Sequence, residues 1–218
     1  MIQFHPNGST EEFHRRDSVQ NVVNLLLGDG KLFIKDIALI INTSYSLDDF
    51  EELFCGIYQT YIDIFEINKD LNTAFYNLWG NLRNIYNDEP HSGNLRGAIV
   101  EFYVYSVIDR KYHNKDDFNI DCTIQVDDWY SERTVDVAII NLRENLGECC
   151  ECKVDAHGLD ADDIENLNDI FYNSNNILKP KIVSFSARKA ILNWIQVITH
   201  SYSQIEIYGR DNLHQFIN

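Results

Sequence analysis

The chain has 218 residues, 44% of them hydrophobic and 24% charged, with 34 Asp and Glu against 18 Lys and Arg for a net charge of −16. This is the make-up of an ordinary soluble globular protein of one large or two small domains, and no apolar run approaches the roughly 18 residues a membrane span needs. The acidity excludes unaided, non-specific attraction to polyanions, and the polar N-terminus and five cysteines fit neither a signal peptide nor a disulfide framework, so a cytoplasmic protein with reduced thiols is expected.

In chain order, "DSVQNVVNLLLG" predicts a helix from Asp17 to Gly28, with Val19, Val22, Val23 and Leu26 at helical spacing. "SLDDFEELFCGIYQTYIDIFEIN" predicts a second, with Ser46 as N-cap and one stripe through Phe50, Leu53, Phe54, Ile57, Tyr61 and Ile64. "LNTAFYNLWGNLRNIY" repeats the spacing with Phe75, Leu78, Leu82 and Ile85. Residues 1–90 therefore read as a helical region for docking or oligomerisation in which no catalytic residue types gather. "NDEPHSGN" supplies the Pro, Gly and Asn of a boundary.

Residues 91–218 alternate helix and strand. "NLRGAIVEFYVYSVIDRKY" predicts a helix covered nearly all round. "NIDCTIQV", "RTVDVAIINL" and "GECCECKV" predict three strands of an antiparallel meander. An acidic helix from about Asp160 to Asn175, the strand "KIVSFS", the helix "ARKAILNWIQVIT", the strand "QIEIYG" and a terminal helix near Asp211 follow. The expected fold class is α/β (α+β), a mixed sheet with helices on its faces, preceded by the small helical region.

Alternation along "GECCECKV" puts Cys149, Glu151 and Lys153 on one strand face and Cys150, Cys152 and Val154 on the other. Asp136 is the lone charge of the preceding strand, with Val135, Val137 and Ile139 expected in the core opposite to it. Pairing the two strands sets Asp136 beside Glu151, with Lys153 adjacent. Two neighbouring buried carboxylates repel one another and lose hydration unless a cation joins them, and Mg²⁺ takes one or two carboxylates while keeping waters and a phosphate. Glu101 is the only charge across most of its helix and follows the small Gly97 and Ala98, so it can face the same cavity. A zinc site from Cys149, Cys150, Cys152 and His157 is disfavoured, because adjacent strand residues face opposite ways and no second Cys pair exists. Arg188 and Lys189 at a helix start, and Trp129 and Tyr130 in a turn, are secondary candidates for phosphate and base contacts.

Glu101 on the first helix, Asp136 in the second strand and Glu151-Cys152-Lys153 in the third resemble the PD-(D/E)XK nuclease superfamily, the restriction-endonuclease-like fold, over about residues 92 to 210. Val135 stands where the motif names a proline. The resemblance implies that Asp136, Glu151 and the Cys152 carbonyl hold Mg²⁺, for which Mn²⁺ can substitute, that Lys153 assists the attacking water, and that Glu101 orients or completes the site. It implies a nuclease acting on nucleic acid, DNA rather than RNA, as the effector subunit of a larger defence or DNA-processing assembly. A protein partner or homo-oligomer would supply the nucleic-acid affinity that the charge denies the chain alone, with no membrane involved. The alternative is a non-catalytic scaffold or binding subunit on the same fold.

Overall fold

The computed structural model describes residues 1–8, 11–88, 90–199 and 202–217. Strand β1 (Ile2–Pro6) precedes six helices: α1 (Glu11–His14), α2 (Asp17–Leu27), α3 (Ile34–Thr43), α4 (Leu47–Ile67), α5 (Lys69–Asn87) and α6 (Ser92–Lys111). The sheet-forming half then runs β2 (Asp117–Val126), β3 (Trp129–Tyr130), β4 (Val135–Asn141), β5 (Leu146–Lys153), α7 (Ala161–Asn173), β6 (Leu178–Ser184), α8 (Arg188–Ile198), β7 (Glu206–Tyr208) and α9 (Leu213–Ile217). Among the described residues seven strands make one mixed sheet of order β1-β2-β4-β5-β6-β7, with β3 paired to β2. It is antiparallel from β1 to β5 and parallel from β5 to β7. The protein is an α/β fold with helices on both faces of the sheet.

Local chemistry sets the helix boundaries. Ser46 caps α4 in a capping box with Asp49, whose carboxylate accepts from the Ser46 amide at 3.1 Å. Asn68 alone joins α4 to α5, its side chain accepting from the Leu71 amide at 3.1 Å, so the two helices form a tight hairpin. The expected break after α5 is real, with Asp88 as its C-cap and His91 as the N-cap of α6, while residue 89 lies outside the described residues.

Residues 1–90, which supply helices α1 to α5 and β1, pack directly on the sheet-forming half. β1 pairs with β2 from Ile2 opposite Val126 to Pro6 opposite Cys122, which ties the N-terminus to the edge of the sheet. One apolar core runs from Val22 and Phe75 in the helical half through Ile99 and Val104 of α6 to Val137, Cys150 and Val183 of the sheet. Each fully buried Phe or Ile there contributes about 1.5–3 kcal/mol to a core that both halves share. The second core covers the opposite sheet face, where α7 and α8 pack on Cys149, Leu178 and Ile182 together with Ile2 and Phe4 of β1.

The sheet is irregular where the chemistry gathers. Asp121 lies at φ 46°, in the left-handed region that Asp tolerates better than most side chains, and the β2–β4 pairing skips it between Ile120–Val137 and Cys122–Val135. Across this point the faces exchange: Val137 and Ile139 belong to the first core, but Val135 belongs to the second. The expected single face for Val135, Val137 and Ile139 fails for this reason.

Gly147 opens β5 between two strands. A Cβ there would lie 2.6 Å from the Ile139 carbonyl oxygen and 2.6 Å from Leu178 Cδ2. Since the carbonyl belongs to the β4 backbone and cannot yield, Gly147→Ala is expected to destabilise the chain by about 3 kcal/mol, read as a lower urea midpoint at unchanged slope.

Candidate functional site

The β4–β5 ladder runs from Asn141 opposite Leu146 to Val137 opposite Cys150 and goes no further. Continuing the register would set Cys152 opposite Val135. Instead the Asp136 carboxylate takes the Cys152 backbone N–H at 2.6 Å. The side chain thus replaces a main-chain rung and is held beside the neighbouring Glu151 and Lys153. β5 itself continues to Lys153 on its other side, where Cys152 pairs with Val183 and Lys153 with Ser184 of β6, so Glu151 and Lys153 sit on rigid backbone.

Glu151 is 5% exposed and accepts a hydrogen bond from the Lys153 ammonium. Burial pushes its pKa up to about 7, with Asp163 and Glu101 adding to the rise against the opposing pull of Lys153. Asp136 is half-buried and its carboxyl is held well above the usual range, first by desolvation, then by the charges of Glu151 and Glu101, with Lys153 and the Cys152 amide opposing. Lys153 is held above its ordinary value: desolvation lowers it, but Glu151, Asp136 and Asp163 together outweigh that. At neutral pH Lys153 is therefore an ammonium, able to donate hydrogen bonds but not to take a proton from water.

Glu101 joins the group from α6, close enough to raise both acidic partners. Gly97 lies one turn before it, and a Cβ there would meet Glu101 Oε1 at 3.7 Å, an ordinary contact, so this carboxylate does not require the glycine. All four predicted side chains thus gather where β4 and β5 part, between α6 and α7.

Three further residues belong to the neighbourhood. His14 of α1, 5% exposed, has its Nε2 2.8 Å from Glu101 Oε2, so the helical region supplies a chemical group after all. Asp163 of α7 has Oδ2 3.7 Å from the Lys153 ammonium, and its Oδ1 accepts from Arg133 at 3.1 Å. Arg133 also binds both carboxylate oxygens of Asp160 at 3.0 and 2.9 Å, and its main chain is gripped by Asn166, which fixes the start of α7 against the sheet. Asp160-x-x-Asp163 is legible as a capping box, but that signal speaks of a helix start and not of Lys153. For His14 the sequence held no signal.

The secondary candidates have structural partners. The Arg188 backbone N–H is taken by Asp211 at 2.6 Å and its Nε donates to the Ile207 carbonyl at 3.2 Å, so the start of α8 already faces a carboxylate. Tyr130 is exposed on β3, with its ring 5.9 Å from that of His5. Cys149 lies in the second core and Cys150 and Cys152 in the first, each a free thiol whose pKa is raised by burial.

Among the described residues, no three His, Cys, Asp or Glu side chains form a ready metal cage. Asp136 and Glu151 are instead a sparse pair of hard oxygen donors, and both hold their protons more tightly than free carboxyls. A divalent cation would relieve that strain, so the donor set fits Mg²⁺, which binds through one or two carboxylates and keeps its waters. Among the described residues no helix is long and apolar enough to cross a membrane.

No protein-family model matches the sequence, and no curated protein does. Among solved structures, protein VC1899 from Vibrio cholerae is similar, with a TM-score of 0.51 and 14% identity over 99% of this chain and 57% of that one. Can2 from Sulfobacillus thermosulfidooxidans, solved in complex with cyclic tetra-adenylate, matches with a TM-score of 0.42 and 14% identity over 100% of this chain and 58% of its own. This chain spans less than two thirds of either protein, and its likeness to VC1899 is one of fold.

Proposed function

We propose that the chain belongs to the PD-(D/E)XK superfamily and is a Mg²⁺-dependent nuclease hydrolysing phosphodiester bonds of DNA, as an effector part of a larger assembly in defence or DNA processing. The observation that carries the reading is the Asp136 carboxylate bonded to the Cys152 amide, which brings it beside Glu151 and Lys153 at the point where the strands part. Asp136, Glu151 and the Cys152 carbonyl would hold the cation. When bound, Mg²⁺ supplies Lewis-acid chemistry, polarising the phosphodiester and acidifying water. The chain's own residues do the rest. Lys153 keeps its proton, so it orients the attacking water and offsets charge gathering at the phosphate. Glu151 and Asp163 hold the ammonium from two directions. Glu101, steadied by His14, closes the α6 side. A basic partner fits the net charge of −16, which opposes binding of long polyanions by the chain alone.

The test is cleavage of plasmid and linear DNA, and of RNA, with Mg²⁺ or Mn²⁺. Wild type is expected to leave 5′-phosphate ends, and Asp136→Ala and Lys153→Ala to be at least about 10³-fold slower. Equal rates in all three would remove the assignment. The second reading, a non-catalytic scaffold, draws on the direct Lys153–Glu151 pair, which neutralises Glu151 within the chain itself. Calorimetric titration with Mn²⁺ separates the two: a site gives heat in wild type that vanishes in Asp136→Ala, and a scaffold gives none in either.

A further inference from the structure

Alongside Glu101 the same helix presents Phe102 and Tyr105, and these begin a row of nearly parallel rings. His14 and Phe102 stack at 6.4 Å and 25°, Phe102 and Tyr105 at 6.0 Å and 11°, and Tyr105 and Phe118 of β2 at 4.3 Å and 4°. All four rings line one groove of about 300 Å³ between α1, α6 and β2, with Arg15 and Asn119 at its wall. Phe102, Tyr105 and Phe118 are half-buried, so their packing is incomplete on the groove side.

One polar member of the groove is unfinished. His14 is 5% exposed and binds Glu101 through Nε2, yet among the described residues its Nδ1 is buried without a hydrogen-bond partner. Buried polar nitrogens are rarely left so, and each such case asks for a ligand or another explanation. With Nε2 as the donor to the carboxylate, Nδ1 is left as an acceptor, suited to the amino group or ring N–H of a base. Flat rings beside a buried acceptor, next to a carboxylate of the proposed reaction centre, match the two contacts an unstacked nucleobase makes. The net charge of −16 opposes phosphate-driven affinity, so base contacts take a larger share of binding by the chain itself.

We propose that this groove seats one unpaired nucleobase of the substrate strand beside the scissile phosphodiester, with Phe102 and Tyr105 as stacking faces and His14 Nδ1 as the hydrogen-bond acceptor. The proposal rests on the nuclease reading for its substrate, but it is tested by binding, without turnover. Fluorescence anisotropy with labelled 12-nucleotide DNA in EDTA compares a single strand, its duplex, and an abasic strand of equal length on the full chain. The single strand is expected to bind at least about tenfold tighter than the abasic strand or the duplex. Tyr105→Leu is expected to remove roughly that factor and Tyr105→Phe to retain it, with circular dichroism melts to confirm folding. Equal affinity for normal and abasic strands, unchanged binding in folded Tyr105→Leu, or no binding by wild type would each overturn the groove. Since the abasic comparison uses wild type, it decides even if the leucine variant does not fold. Base-dependent binding without cleavage under Mn²⁺ would sink the nuclease reading alone, and cleavage with base-independent binding would sink the groove alone.

Discussion

Replacing Asp136 by asparagine is expected to abolish cation-dependent cleavage and, near pH 8, to leave the chain at least as stable as wild type. Asparagine keeps an oxygen for the Cys152 amide, so the contact that substitutes for a strand rung survives. What disappears is a negative charge facing Glu151 and Glu101. Relieving such repulsion in a half-buried place is worth about 1 kcal/mol, whereas most substitutions of a well-bonded residue cost that much. The pH dependence carries the sign. Asp136 and Glu151 both have folded-state pKa values raised above their unfolded ones, so the folded chain holds protons that the unfolded chain has released. Their stabilising contribution is complete below about pH 4 and is lost as pH rises, for Glu151 through about 7. Urea unfolding in EDTA should therefore show wild-type stability declining from pH 5 to pH 8 more steeply than that of Asp136→Asn. Mn²⁺ should raise the wild-type midpoint more at pH 8 than at pH 6, by about 2.7 kcal/mol at a concentration 100 times its Kd, and should leave the variant unmoved. A variant that tracks wild type at every pH and Mn²⁺ concentration would mean that the Asp136 charge does nothing here.

Lys153→Met is expected to act in the opposite direction, costing about 3 kcal/mol at pH 8 together with activity. The ammonium contacts Glu151 and lies 3.7 Å from Asp163, and its loss leaves buried carboxylates facing one another. Methionine keeps an unbranched stem, which matters because Lys153 Cδ would lie 3.6 Å from a Cβ at Gly158 and so packs on the turn after β5. The cost should shrink at pH 5, where Glu151 regains its proton. Paired urea curves at the two pH values measure this. A loss equal at both would assign the effect to packing. Arginine is not expected to rescue, because a planar guanidinium does not fit a point charge held on two sides.

Much of this arrangement could be read along the chain because it depends on neighbours in sequence. The Ser46 and Asp160 caps act within one helical turn. The alternation that sends Cys150 and Cys152 to one core and Glu151 to the other face is a property of any strand. Asp136, Glu151 and Lys153 could be connected because a short turn fixes the register of β4 on β5. Glu101 was legible as a charge that an otherwise apolar helix would not carry without a use.

Because periodicity and hairpin register are local, the order and type of most elements and the proximity of Asp136, Glu151 and Lys153 were legible along the chain. Long-range packing, by contrast, sets β1 on the sheet edge across 124 positions from Ile2 to Val126, brings His14 to Glu101 from 87 residues away, and turns Asp163 toward Lys153. It also decided that Asp136 takes the place of a backbone rung, beside a strand turned over at Asp121. These contacts join distant segments whose own spacing is satisfied without them. Their physical cause is the packing of one continuous core against the sheet, which no local pattern records.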